Sequence, residues 1–203
     1  MYEVSVFVTA TLLIVSGVFY AYYAWIGKTD PVLATWILMA VVTGLSLWMY
    51  WESPHKSWTG NIALTSGSVN IVTILFGVTA AHLRRGTLRI AFDVTQKWCL
   101  IGGVAIVPLW WITNNSLVSY VLVQLISIVA ILATAERLWN SERNSEPLFI
   151  WVVAFFAMMC AIYPAWVKHD TFSWIYLGRA IPSTVLIIYL IVRIERKVLL
   201  SSA

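Results

Sequence analysis

The sequence predicts an all-α polytopic membrane protein of seven transmembrane helices, arranged as a 3+1+3 parallel repeat. Three observations carry that expectation. Of the 203 residues, 61% are hydrophobic and only 11% are charged, and the mean hydropathy of +0.84 lies far outside the composition of an ordinary soluble domain. The apolar runs are continuous over about 20 residues, the length a helix needs to cross a hydrocarbon core of roughly 30 Å. The pattern of the second run also recurs in the sixth, in order and with its neighbours.

The first span, over 4–26, contains "TLLIVSGVFYAYYAW", which lacks the alternation of a membrane strand. "MYEVSV" precedes it, with Glu3 and no lysine or arginine, so it is expected to stay in the mature protein rather than be removed as a signal peptide. The second span, 32–51, follows Asp30-Pro31 and ends on Trp51. The third, 60–82, carries the small and polar "SGSVN" and runs into "AHLRR". The fourth, 97–113, holds Gly102-Gly103 and Pro108 as flex points. The fifth, 116–136, carries Gln124 and is followed by Trp139. The sixth, 147–167, follows Glu146-Pro147 and contains Tyr163-Pro164. The seventh, 172–192, contains "IYLGRAIPSTV" and runs into "RIERK".

The basic residues order these spans across the bilayer. Lys28, Arg84, Arg85, Arg89, Lys97, Arg137, Arg143, Arg193, Arg196 and Lys197 fall on one side, whereas Lys56 and Lys168 fall on the other and Arg179 lies within a span. Cytoplasmic loops retain Lys and Arg, so the N-terminus is expected outside and the C-terminus in the cytoplasm, in a cytoplasmic (inner) membrane. Topology also accounts for the net charge of +4, and no nucleic-acid partner is expected. Trp51, Trp58, Trp110, Trp111, Trp139, Trp166 and Trp174 fall near span ends, where indole favours the wet interface. Cys99 and Cys160 lie at different depths and are read as packing residues, not a disulfide.

The repeat rests on paired features. Asp30-Pro31 and Glu146-Pro147 open two spans, each with tryptophans at matching places, Trp36 with Trp51 and Trp151 with Trp166. Trp25 and Trp139 close the preceding spans, and the following ones end in "AHLRR" and "RIERK". The chain therefore divides into a first three-helix repeat (1–92), a linker helix (93–115) and a second three-helix repeat (116–203), the odd linker making both triplets run the same way. In this layout the chain resembles the SWEET, PQ-loop and PnuC group of membrane proteins, although it has no Pro-Gln dipeptide. The resemblance implies a transporter whose substrate sits between the halves.

Ionised side chains inside a membrane are costly and point to function. Arg179 lies seven residues below Phe172, roughly 10 Å at 1.5 Å per residue. Gln124 and the Ser66, Ser68 and Asn70 group fall at similar depth in spans running the same way. These residues are the candidate contacts for a solute, with Trp36 and Trp151 placed to stack on a planar ligand. Pro182 frees the carbonyl of Gly178 beside Arg179 and introduces a kink point.

Other classes are disfavoured. No inward cluster of His, Cys, Asp and Glu suggests a metal, and no nucleophile and base are brought together by spacing, so neither a cofactor nor an enzyme activity is expected. No carboxylate lies deep in a span to relay protons. The last span has no lysine for a retinal Schiff base. The expected function is a membrane transporter, a facilitator or gradient-driven carrier of a small polar solute that is anionic or nucleoside- or sugar-like. The alternative is a seven-helix ligand- or lipid-binding sensor or scaffold without transport. Expected partners are the solute and membrane lipids, with self-association into a homo-oligomer left open.

Overall fold

A computed structural model describes residues 1–29, 31–54, 56–141, 144 and 146–201. Asp30 of the first acidic-proline pair, His55, and Arg143 of the charge asymmetry lie outside the described residues. Among those described, the chain forms seven helices and no strand: α1 (Tyr2–Ile26), α2 (Leu33–Trp51), α3 (Ile62–Arg85), α4 (Val94–Thr113), α5 (Ser116–Trp139), α6 (Leu148–Lys168) and α7 (Thr171–Ser201). The expected spans coincide with these helices to within a few residues, except that α7 runs on past 192. That extension is rich in Arg, Lys, Glu and Leu, which favour helix in water as well as in lipid.

Local chemistry sets the helix ends. Gly27 and Gly86 adopt left-handed backbone angles at the C-termini of α1 and α3, a conformation glycine takes without a Cβ penalty. Asp93 and Gln96 form a reciprocal capping box at the start of α4, and Asn61 and Asn115 accept from backbone N–H groups at the starts of α3 and α5. Each cap satisfies donors that a helix leaves unpaired.

Six helices, all but α4, are long and apolar enough to cross a membrane, the architecture of an integral membrane protein. Their outer faces present Phe7, Phe76, Phe156 and Tyr189, an apolar surface that suits lipid. The expectation of seven such spans is thus met by six. Thr95, Gln96 and Lys97 give α4 a polar start, which shortens its apolar stretch. It nevertheless runs beside α2 for most of its length: Gln96 Nε2 donates to Thr35 Oγ1 at 3.1 Å near one end, and Trp110 meets Trp48 with ring centroids 5.2 Å apart near the other.

Helix α3 packs against both α1 and α2, and α7 against both α5 and α6; α1 lies along α6, α2 along α5, and α4 against α5 and α2. Odd-numbered neighbours run parallel. Gly17 of α1 faces Asn70 of α3, and Gly77 of α3 faces Ala21 of α1. Close approach of small residues is the usual means of helix association in lipid. At the end bearing the arginines, here the basic end, Arg84 lies over the Trp25 ring at 4.6 Å and Arg85 donates to the Ala24 carbonyl. Arg193 likewise lies over Trp139 at 3.6 Å and donates to its carbonyl at 3.3 Å. Trp58, Trp111, Trp139, Trp166 and Trp174 are exposed near helix ends, as interfacial anchors are. Both cysteines are free thiols.

A Cβ on Gly77 would overlap Ala21, whereas one on Gly44 would meet nothing within 4 Å. Gly77→Val should therefore destabilise the bundle by about 1–3 kcal/mol. Thermal unfolding in detergent checks this: the midpoint should fall for Gly77→Val and stay level or rise for Gly44→Ala, and equal midpoints would contradict the packing.

Candidate functional site

One polar chain across the bundle begins on α7. Arg179 Nε donates to Gln124 Oε1 of α5 at 3.0 Å. Gln124 Nε2 then donates to Ser46 Oγ of α2 at 2.8 Å, and Ser46 Oγ donates to the Val42 carbonyl at 2.9 Å. Gln124 and Ser46 are buried, so each amide atom of Gln124 is matched where no water competes. The guanidinium carbon of Arg179 also lies 4.7 Å from the centre of the Tyr176 ring, a cation–π contact. Among the described residues, both terminal Nη groups of Arg179 carry no protein partner.

Arg179 borders an internal cavity of about 140 Å³ lined by residues of α1, α2, α3, α5, α6 and α7. Asn70, Gly67 and Tyr176 line it with Arg179. Asn70 Nδ2 donates to the Leu13 carbonyl at 2.6 Å and to Ser16 Oγ at 2.7 Å, which ties α3 to α1 beside the cavity. Trp36 and Trp151 form part of the walls nearer the basic end, with Trp36 packed edge-on against Tyr20 at 4.8 Å.

The cavity therefore brings together Arg179, Asn70, Trp36 and Trp151 from the sequence-based set. Gln124 stands behind Arg179 and holds it. Ser66 and Ser68 do not line the cavity: Ser66 is buried between helices, and Ser68 Oγ donates to the Leu64 carbonyl of its own helix at 2.8 Å. Helical geometry explains the split. Gly67, Asn70, Ile71 and Ile74 line the cavity at i, i+3, i+4 and i+7, whereas positions 66 and 68 each turn about 100° away from that face. Pro182 sits within a continuous α7, where Thr184 Oγ1 donates to the Ala180 carbonyl at 2.8 Å.

The two ends of the cavity differ. Toward the N-terminal end it is blind. There Tyr50, Tyr120, Phe172, Tyr176, Met49 and Leu177 belong to one buried apolar cluster, and Tyr50 Oη donates to Asp170 Oδ2 at 2.8 Å while accepting from Ser57 N at 2.9 Å. Asp170 also accepts from Ser173 N at the start of α7. Toward the basic end the cavity reaches Val32, which is exposed, and Arg137, whose side chain is 36% exposed.

One residue there escaped the reading by spans. Glu146 is only 5% exposed and lines the cavity, although it precedes α6 rather than lying in it. Tyr20 Oη donates to its Oε2 at 2.9 Å, and Arg137 Nη2 is 3.3 Å from its Oε1. The expectation that no carboxylate serves the interior considered only residues within spans. The signal that could have found Glu146 was its pairing with Pro147, which fixes the entry into α6 beside α1.

Replacing Gln124 by Leu leaves Arg179 and Ser46 without their buried partner, a loss of about 1–3 kcal/mol. A double-mutant cycle of Gln124→Leu with Arg179→Met, followed by reversible unfolding in mixed micelles, should give a coupling of roughly 0.5–3 kcal/mol. Additive losses would show that the 3.0 Å contact contributes nothing to stability.

In comparison with known proteins, no family model matches the chain, and no curated protein or solved structure is detectably similar to it.

Proposed function

We propose that the chain is a carrier for a small polar solute, bound between two three-helix halves, with Arg179 as the group that recognises it. The observation that carries this reading is a partly unspent guanidinium at the blind end of a cavity inside an apolar bundle. A charge at the centre of a membrane helix costs about 2.5–3.5 kcal/mol on insertion scales, and a packing role alone would call for partners on every donor. The free Nη pair suits a bidentate acceptor, such as a carboxylate, a phosphate or vicinal hydroxyls. The tryptophan walls suit a flat sugar face or base.

The same reading takes the bundle as a parallel duplication, with α1, α2 and α3 equivalent to α5, α6 and α7 and with α4 as the linker. Support comes from the neighbour relations, since exchanging the triplets turns α1 on α3 into α5 on α7, α2 on α3 into α6 on α7, and α1 on α6 into α5 on α2. The arginine over the last tryptophan of α1 and of α5 obeys the same exchange. Such repeats hold substrate at their interface and work by rocking one half against the other. The sealed N-terminal end and the accessible basic end then correspond to an inward-facing state, with the basic end cytoplasmic. This layout is the one the SWEET, PQ-loop and PnuC resemblance implies.

The test is flux. Liposomes containing the protein should take up at least one labelled solute from a panel of organic anions, sugars and nucleosides. Arg179→Ala should lower that flux about tenfold or more, the worth of a lost charge-assisted hydrogen bond, while the protein stays folded by its thermal midpoint. Flux unchanged in Arg179→Ala would remove the arginine from recognition. Saturable binding of a panel member without flux would favour the sensor instead. An epitope tag at the C-terminus should be inaccessible in intact cells; an accessible tag would reverse the orientation.

A further inference from the structure

Glu146 stands apart from the recognition end, and its surroundings tie several helices together through one carboxylate. Tyr20 of α1 donates to Oε2 at 2.9 Å, Arg137 of α5 reaches Oε1 at 3.3 Å, and Trp151 Nε1 of α6 lies 3.5 Å from Oε2. Its own backbone N–H donates to Asn144 Oδ1 at 2.9 Å, and Asn144 Nδ2 donates to Glu195 Oε1 of α7 at 2.8 Å. From α2, the ring of Trp36 packs on Tyr20 and brings no charge. Among the described residues, the titratable or charged groups that face the carboxylate are therefore Tyr20 and Arg137, with Glu195 one residue further out.

Two features distinguish this group from a buried structural ion pair. It borders a cavity that also reaches the partly exposed Arg137, so water from the basic end has a route to it. It also joins α1, from the first triplet, to α5 and α6, from the second. Any change in its charge is felt at the seam between the triplets.

We propose that Glu146 is a proton-binding site at the mouth of the cavity, and that taking a proton releases Arg137 and loosens the tie between α1 and the α5–α6 pair. In that step one proton moves from water at the basic end to a carboxylate oxygen. The carboxylate charge is neutralised, the ion pair to Arg137 is lost, and the protonated oxygen becomes a donor that no longer accepts from both Tyr20 and Arg137. Burial pushes the Glu146 carboxyl above its ordinary range, outweighing the opposing pull of the Tyr20, Arg137 and Trp151 donors. Because the folded state then binds the proton more tightly than the unfolded one, Glu146 adds stability below the ordinary glutamate range and loses it as pH rises through the higher folded value. One further step rests on the carrier reading: if a solute is transported, the proton is the coupling ion.

The experiment needs no solute. In a background with Cys99→Ala and Cys160→Ala, a cysteine introduced by Ser183→Cys, at a cavity-lining position of α7, is labelled with maleimide in detergent. The rate is divided by that of a surface cysteine from Thr113→Cys at each pH, which removes the titration of the thiol itself. Relative labelling should rise on acidification in the parent, lose its pH dependence in Glu146→Gln, and keep it in Glu146→Asp. The same slope in Glu146→Gln, or a flat parent, overturns the proposal. Should Glu146→Gln fail to fold, infrared difference spectra of the parent decide. A protonated-carboxyl C=O band titrating above the ordinary glutamate range supports the site, and its absence overturns it. The thermal midpoint of the parent should also fall relative to Glu146→Gln as pH rises. Absence of flux in liposomes would sink the carrier reading while leaving these results standing.

Discussion

A guanidinium inside an apolar bundle must be held by something other than water, and the hold of Gln124 on Arg179 sets much of the arrangement around it. Gln124 has one acceptor and one donor group to offer sideways. The acceptor takes Arg179 Nε and the donor reaches Ser46 Oγ, so α7, α5 and α2 meet at one height. An amide can do this where a carboxylate could not, because a carboxylate would neutralise the arginine and have no hydrogen to give Ser46. The choice of Gln keeps Arg179 positioned and still cationic toward the cavity. Stacking on Tyr176 restrains the guanidinium further without using its Nη hydrogens.

The same economy separates the two ends of the cavity. At the N-terminal end, polar groups satisfy one another: Tyr50 Oη donates to Asp170 and accepts from the Ser57 backbone, and Tyr120 and Phe172 pack against each other at 4.9 Å in the same cluster. Such an end opens only if α2 and the start of α7 part together, because Tyr50 belongs to one and Asp170 precedes the other. At the basic end, Arg137 of α5 is paired with Glu146 just before α6, and Tyr20 of α1 donates to the same carboxylate. In the carrier reading, the stronger closure lies on the outer side and the weaker, titratable one on the inner side.

Sequence reasoning reached the helices, and several of the residues that line or support the cavity, because both follow from simple constraints. Twenty apolar residues in a row leave the backbone little choice but helix, and polar residues at equal depth in parallel helices have to meet if they are to be satisfied. Arg179 and Gln124 met for that reason. Ser66 and Ser68 did not join them because depth along a helix says nothing of azimuth; the cavity-lining face is centred near Gly67, and its two chain neighbours each sit about 100° around the helix from it. Glu146 was missed because hydropathy marks where a helix is apolar, not where a loop folds back beneath its neighbours. Its burial depends on Tyr20, 126 positions away in sequence, a contact no local pattern reveals. The polar start of α4 likewise lowers its hydropathy without moving it from the side of α2, where Gln96 finds Thr35.

Arg179 and Glu146 are too far apart to influence each other mainly by charge. Gln124, which marks the height of the arginine, and Arg137, which marks that of the carboxylate, are thirteen residues apart on α5, about 20 Å at 1.5 Å per residue. Over that distance two unit charges interact by roughly 0.8 kcal/mol at an effective dielectric constant near 20, less than one good hydrogen bond to a charged group. In the carrier reading, any stronger coupling between a proton at the mouth and a solute at the blind end has to pass through the helices. Helix α5 is the element that carries it, because it donates to Glu146 through Arg137 and accepts from Arg179 through Gln124. A shift of α5 that follows loss of the Arg137 ion pair would move the very amide that positions the Arg179 guanidinium. The two sites are then linked by one rigid helix rather than by an electrostatic field, and the link is directional along the α2–α5 seam where the Ser46 bond anchors it.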